Sequence, residues 1–212
     1  GYYFYSRSSN LSLLSRFPIC ETHDLYDDSF RFGGATFALA PGQRLDVYSL
    51  WIHYLPDFCN DVRQPHANAA ALIAAEEQTR GHEIRDILKA LSPRLRDKSR
   101  TVIVAGDFNS PSHLDWVPQA RTLHRDLVVE WPVSRTMAAA GFTDAYRQAR
   151  PNPLTDPGRT WTPRSAESWQ DRIDYVYYSD QHMRCRAAEV LEHHPDGWPS
   201  DHAGVLATLQ LT

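Results

Sequence analysis

TVIVAGDFNS, residues 101–110, runs β-branched residues into Gly-Asp-Phe-Asn. Residues 101–105 form an apolar run of strand length, the pattern of a fully buried strand. An aspartate and an asparagine two positions apart at its end admit two readings. Asp and Asn are common wherever strands stop in a turn. Open α/β sheets, however, bind their ligands at the carboxyl ends of strands. The surrounding chain has to choose between them.

Upstream, RLDVYSLWIHYLP (44–56) alternates apolar residues and stops at Pro56, as a longer strand does. Residues 2–6, 11–16 and 35–40 are short strand candidates broken by RSSN and FGG. Over residues 69–91 the period becomes helical. Ile84, Ile87, Leu88 and Leu91 recur at spacings of three and four, with Glu and Arg on the other face. Gly81 is expected to weaken or split this helix, and Ser92-Pro93 to end it. Downstream, Ser112 can cap a short helix at 113–117, and VSRTMAAAGF reads as a helix with Gly141 as its C-cap. Residues 150–170, rich in Pro, Ser and Thr, make a loop of the length that serves as a lid or binding loop. Residues 172–178, 187–192 and 203–211 close the chain as strands. With no internal repeat and no interdomain linker, residues 1–212 read as one mixed α/β domain.

The composition, 42% hydrophobic and 23% charged, is that of a globular protein. A net charge of −4 gives no general pull towards polyanions, which argues against salt-driven coating of nucleic acid. The three cysteines, Cys20, Cys59 and Cys185, form no CxxC, and their odd number excludes a fully paired disulfide framework. No apolar run reaches the roughly 18 residues of a membrane span.

Three apolar strands are joined to acid, amide or imidazole residues: Asp107 and Asn109 after the first, Asp174 inside DRIDYVYYS, and Asp201-His202 before AGVLATLQL. His53 lies in the strand-like run VYSLWIHYL, where a satisfied core histidine is the commoner outcome. Asp174 is the most informative, because a carboxylate between Ile173 and Tyr175 is costly to bury without a partner. A histidine would satisfy it and have its tautomer fixed in return, and His202 is the candidate. Asp201 is then free to face a hard cation such as Mg²⁺, which takes one or two protein carboxylates and leaves room for phosphate oxygens. Asp107 could orient water, and Asn109 could hold an oxyanion.

Those residues resemble the endonuclease/exonuclease/phosphatase superfamily, the deoxyribonuclease-I-like proteins. GDFN (106–109), DRIDYVY (171–177) and SDH (200–202) match three of its motifs, and LLSRFPI (13–19) and WIHYLP (51–56) resemble its flanking strands. GFTDAYR (141–147) and GRTW (158–161) are similar to segments of bacterial members, which are often exported. The resemblance implies a four-layer α/β sandwich of two packed mixed sheets. It implies a phosphoesterase using Mg²⁺ or Mn²⁺, in which Asp107 orients or deprotonates water and Asn109 holds a phosphate oxygen. Asp174 and His202 would form a dyad, Asp201 would ligate the metal, and His53 would be a second acid or phosphate contact. The family's N-terminal Asn and Glu strands have no counterpart here, so the domain is expected to lack them and to expose a sheet edge. That absence favours an alternative, a member that binds a phosphorylated or glycan ligand without turnover. The substrate class stays open among nucleic acid, inositol phosphate and phospholipid headgroup. Arg159, Arg164 and Arg172 could hold phosphates or be solvated loop charge, and Trp161 and Trp169 could stack on a base or sugar. His113 and Asp115 could shape the site rim or begin a helix, and His193-His194 reads as a surface turn.

Overall fold

In the computed structural model, which describes residues 1–165, 169–179 and 182–212, ten strands and five α-helices follow the chain. Strands β3 (Ile19–His23), β4 (Phe32–Ala40), β5 (Gln43–Trp51), β6 (Thr101–Asp107), β8 (Asp174–Ser179) and β7 (Phe142–Asp144) form a six-stranded sheet in that spatial order. All neighbours are antiparallel except β5 and β6. A parallel pair needs a long crossover, and here it comprises α1 (Phe58–Arg63), α2 (Ala69–Glu77) and α3 (Arg80–Arg96). This topology positions the site. The carboxyl ends of β5 and β6 and the amino end of β8 share one edge, with Trp51 paired to Asp107 and Asp107 to Asp174.

The alternation of each strand divides its side chains between two faces. Tyr48, Leu50, Val102, Val104, Tyr175 and Tyr177 pack under Ile84, Ile87 and Leu91 of α3 and under Val133 and Met137 of α4 (Pro132–Ala139). On the opposite face, Val47 meets Tyr5 and Leu13 of the hairpin β1 (Tyr3–Ser6) and β2 (Ser12–Ser15). Leu45, Ile103 and Val176 meet Met183, Ala207 and Leu209 of a second hairpin, β9 (Met183–Leu191) and β10 (Gly204–Leu211). The second sheet is thus two separate two-stranded ribbons. Gly106 allows the closest approach of β5 and β6: with φ +145°, a Cβ there would lie 2.0 Å from the Leu50 carbonyl oxygen.

Several elements depart from the sequence expectation for identifiable reasons. The expected 69–91 helix breaks at Thr79, where ψ is −97°, and not at Gly81, which lies inside α3. Pro93 does not end α3. Leu91 and Leu95 continue the core stripe past it, and that packing carries the helix to Arg96 against a cost of about 3 kcal/mol for an internal proline. Glu76 and Arg80 are fully buried rather than on a solvated face. Strand β5 stops at Trp51, because side chains of α3 take the next polar groups: Glu83 accepts from His53 N at 2.8 Å and Arg80 donates to the Tyr54 and Pro56 carbonyls. Residues 113–117 form turns, with Ser112 Oγ accepting from Leu114 N. The 150–170 loop is anchored where described, but residues 166–168 lie outside the described residues. Strand β3, β7, α1 and α5 (Ala145–Ala149) have no counterpart in the sequence reading. No described helix is long and apolar enough to cross a membrane, and the three cysteines are free thiols.

Candidate active site

Asp107 ends β6, and its carboxylate is bracketed by Asn109, which donates its backbone N–H at 2.8 Å and its side-chain amide at 3.0 Å. Asn109 reaches back this way because its φ is +47°, a left-handed conformation that Asn tolerates better than most residues. The same amide donates to the Ile52 carbonyl at 2.8 Å and so ties the β6 turn to the end of β5. The GDFN segment is therefore a turn that also holds the Asp107 carboxylate at the candidate site, and the two sequence readings are compatible.

Asp174 opens β8 with an oxygen 2.9 Å from His202 Nδ1. With Nδ1–H donated to the carboxylate, Nε2 is the lone-pair nitrogen of the neutral ring. Asp107, Asp174 and His202 form a group of three metal-capable side chains whose ligand atoms all lie within 4.8 Å of one another. Burial, and next the charge of Asp174, push the Asp107 carboxyl up to about 7, although His202 and the Asn109 bonds oppose this. Burial works against a charged His202, but the bond to Asp174 and the charges of Asp174, Asp107 and Asp201 outweigh it and raise its pKa.

Two anchors hold this geometry. Thr160 Oγ1, fully buried, accepts from the backbone N–H groups of Ile173 and Asp174 at 3.0 and 3.1 Å, setting where β8 begins. Arg164 donates to the Ser200 and Pro199 carbonyls, and Thr162 Oγ1 to the Asp201 carbonyl at 2.5 Å, so the 158–164 segment holds the one that carries His202. Trp161 bridges to both Asp171 and His202, and its ring lies 4.7 Å from the imidazole.

Beneath the site lies a charged network missed at the sequence level. Glu76 accepts from Ser110 Oγ, one residue past Asn109, at 3.0 Å and from Val133 N at 2.9 Å. Burial pushes its carboxyl up to about 7. One turn on, Arg80 reaches Glu76 at 3.8 Å and donates to the carbonyls of Tyr54 and Pro56 at 3.0 and 2.9 Å. The pair thus joins the loops after β5 and β6. Only the EE-x-x-R spacing of residues 76–80 hinted at it, and that pattern usually marks a solvated face.

A cavity of about 250 Å³ opens beside Asp107, Asn109 and His202, with Trp51, Tyr54, Phe58 and Trp161 among its walls. Asp107, Asn109, Asp174 and His202 therefore come together, while two residues stand apart. His53 lies past the strand and stacks on Tyr54 with ring centroids 5.2 Å apart; it lines the neighbouring cavity with Thr79 and Glu83. Asp201 is exposed and outside the three-residue group. Arg172 holds no phosphate, being fully buried between Asp115 and Asp144 at 2.8 and 2.7 Å. His113 is buried against Ser134 at 2.9 Å, and Trp169 packs in the core near Trp116. His193 and His194 are exposed, as expected of a surface turn.

The family model described as "Endonuclease/Exonuclease/phosphatase family" matches residues 1–202. An uncharacterised protein of Caenorhabditis elegans is 32% identical over 157 residues, which are 64% of this chain and 50% of that protein, so the chain spans half the length of this curated relative. Among solved structures, an AP endonuclease from Archaeoglobus fulgidus has TM-score 0.67 at 16% identity, covering 100% of this chain and 80% of its own. A mannosyl-6-phosphatase of Bacteroides thetaiotaomicron has TM-score 0.61 at 16% identity, covering 100% and 77%. These likenesses give the deoxyribonuclease-I-like fold.

Proposed function

Because the chain belongs to the endonuclease/exonuclease/phosphatase family, we propose that it is a metal-dependent phosphoesterase that hydrolyses a phosphodiester by in-line attack of water. The observation that carries this reading is the Asp174–His202 pair standing against Asp107 at the mouth of a cavity. Asp107 accepts a proton from the attacking water. Asn109 exchanges its side-chain amide bond to Asp107 for one to a phosphate oxygen, and His202, favoured in its charged form, donates from Nε2 to another. Asp174 keeps the imidazole in that orientation. His53, stacked behind Tyr54, supports the cavity wall in this arrangement.

The donor set fits a hard divalent cation. Two carboxylates are held together at a recessed position, where burial and their mutual repulsion raise one of them to about 7. Mg²⁺ or Mn²⁺ would be held by Asp107 and Asp174, whereas Asp201, the ligand expected from the sequence, lies outside this group. Bound there, the cation supplies neutralisation of the phosphate oxygens and of the leaving oxygen.

The test is hydrolysis of bis-p-nitrophenyl phosphate with Mg²⁺ or Mn²⁺, beside p-nitrophenyl phosphate and an EDTA control. We expect metal-dependent diester cleavage that falls about 100- to 10,000-fold in Asp107→Ala and in His202→Ala, the range for a lost general base or transition-state donor. Retained turnover in either folded variant would sink the assignment. The absence of turnover in the folded parent would favour a binding protein of the same ancestry.

A further inference from the structure

The cavity beside Asp107 carries an unusual combination for a site that receives a phosphate. Its walls include Trp51, Tyr54, Phe58 and Trp161 together with Asp57, and no Lys or Arg lines it among the described residues. We infer that this cavity is a subsite for a compact ammonium group, so that the substrate is the phosphodiester of an ammonium-bearing alcohol. The inference rests on the phosphoesterase reading and names the substrate class of that site.

Charge decides first. A polyanion gains affinity by having its flanking phosphates neutralised by Lys and Arg, and three arginines of this region are committed to protein groups. Arg80 is buried on the carbonyls of Tyr54 and Pro56, Arg172 sits between Asp115 and Asp144, and Arg164 holds the 199–200 carbonyls. The Arg80 guanidinium acts on the carboxylate of Asp57 through its charge, but the hydrogen bonds that Asp57 accepts come from neutral donors, the backbone N–H groups of Cys59 and Asn60 and the Asn60 amide. Its negative charge stands beside the aromatic walls.

Shape decides next. Trp51 and Tyr54 meet at 52° with centroids 6.4 Å apart, and Trp161 is tilted 57° to His202. Inclined faces suit a rounded cation, which is attracted to the electron-rich face of each ring, whereas a flat nucleobase stacks best between parallel ones. A volume of about 250 Å³ is also small, below the roughly 300–1,000 Å³ of pockets that take drug-sized ligands. Asp107, Asn109 and His202 line the same space, so phosphate and ammonium would lie a short linker apart.

Binding and turnover test this separately. Titration with tetramethylammonium chloride, against potassium chloride at equal ionic strength, should change the indole fluorescence saturably. The change should be lost in Trp161→Leu and weakened about tenfold in Asp57→Asn, which keeps a good N-cap for α1. No saturable change, or an equal one with uncharged 3,3-dimethylbutanol, would overturn the inference. In turnover, p-nitrophenylphosphorylcholine should exceed its uncharged isostere, p-nitrophenyl 3,3-dimethylbutyl phosphate, by about tenfold in kcat/KM, equivalent to ~1.4 kcal/mol. Asp57→Asn should bring that ratio close to one. Equal rates in the parent protein, or a preference for the p-nitrophenyl ester of thymidine 5′-phosphate, would count against the ammonium subsite. Glycerophosphocholine and phosphatidylcholine vesicles then distinguish a soluble diester from a lipid headgroup, and cleavage of either supports the subsite. Cleavage of bis-p-nitrophenyl phosphate without discrimination would remove the subsite and leave the phosphoesterase reading standing. Saturable tetramethylammonium binding without any hydrolysis would do the reverse.

Discussion

With Nδ1 of His202 2.9 Å from an Asp174 oxygen, the state of the imidazole depends on a single neighbour. That bond and the surrounding acids raise the His202 pKa, while the Asp107 carboxyl is pushed up to about 7. If Asp107 acts ionised and His202 charged, kcat/KM has an acid limb at or below about 7, because a bound cation lowers the Asp107 value. It also has an alkaline limb set by His202. Asp174→Asn removes the group that favours the imidazolium, so we expect the alkaline limb to move to lower pH and the rate to fall. A pH–rate profile in which that limb stays in place would show that His202 does not act through its charged form. Thr160 belongs to the same scale. Its hydroxyl accepts from two backbone N–H groups at the start of β8, and Thr160→Val leaves both unsatisfied. We expect about 1–3 kcal/mol of destabilisation by urea denaturation, with a loss of activity larger than the loss of folded protein.

At the scale of elements, the site is an intersection of strand ends held from below by one helical junction. Arg80 ties down the loop after β5 and Glu76 the loop after β6, and both come from the break between α2 and α3. Removing one partner of a buried ion pair typically costs about 3–5 kcal/mol, because the other charge is left uncompensated. We expect Arg80→Ala to destabilise by that order in chemical denaturation. Arg80→Lys should keep the charge but lose the fork that grips the loop carbonyls. Its stability should fall less, while kcat drops about 10- to 100-fold, the scale of a small misplacement of reacting groups. Equal kcat for Arg80→Lys and the parent would show that the fork only supports the fold.

Over the whole molecule, buried acids set the pH dependence of stability. Glu76 releases its proton near 4.5 in the unfolded chain but holds it to about 7 when folded. Between those values the folded state binds more protons. Its contribution to stability is therefore fully present below about 4.5 and is lost as pH rises through about 7. Asp171, also raised to about 7 by burial and then by Asp115, acts in the same direction. His124 opposes them: burial lowers it to about 4, so it destabilises the fold as pH falls below 6.5. We expect Glu76→Gln to flatten the decline in urea stability between pH 5 and 7.5, and an unchanged slope would show that another group sets it.

Much of this protein is legible in one dimension. The buried strand at 101–105, the helical stripe through Ile84, Ile87 and Leu91, and the closing strands all appear where their periodicities place them. So do Asp107, Asn109, Asp174 and His202, because a polar residue at the end of an apolar run betrays itself locally. What remained hidden is non-local. Whether Glu76 and Arg80 face water or the core depends on which loops lie across the helix, and the same i, i+4 spacing serves both. Arg172 reads as a loop cation until two aspartates, 28 and 57 residues away in the chain, close around it. The aromatic cavity gathers Trp51 and Trp161, which share no sequence pattern. Local alternation and motif were enough for the family, the central strands and the polar groups that meet at the candidate site. Which charges are buried, which are exposed and what lines the cavity beside those groups came from the three-dimensional fold, because burial and pairing are set by neighbours distant in the chain.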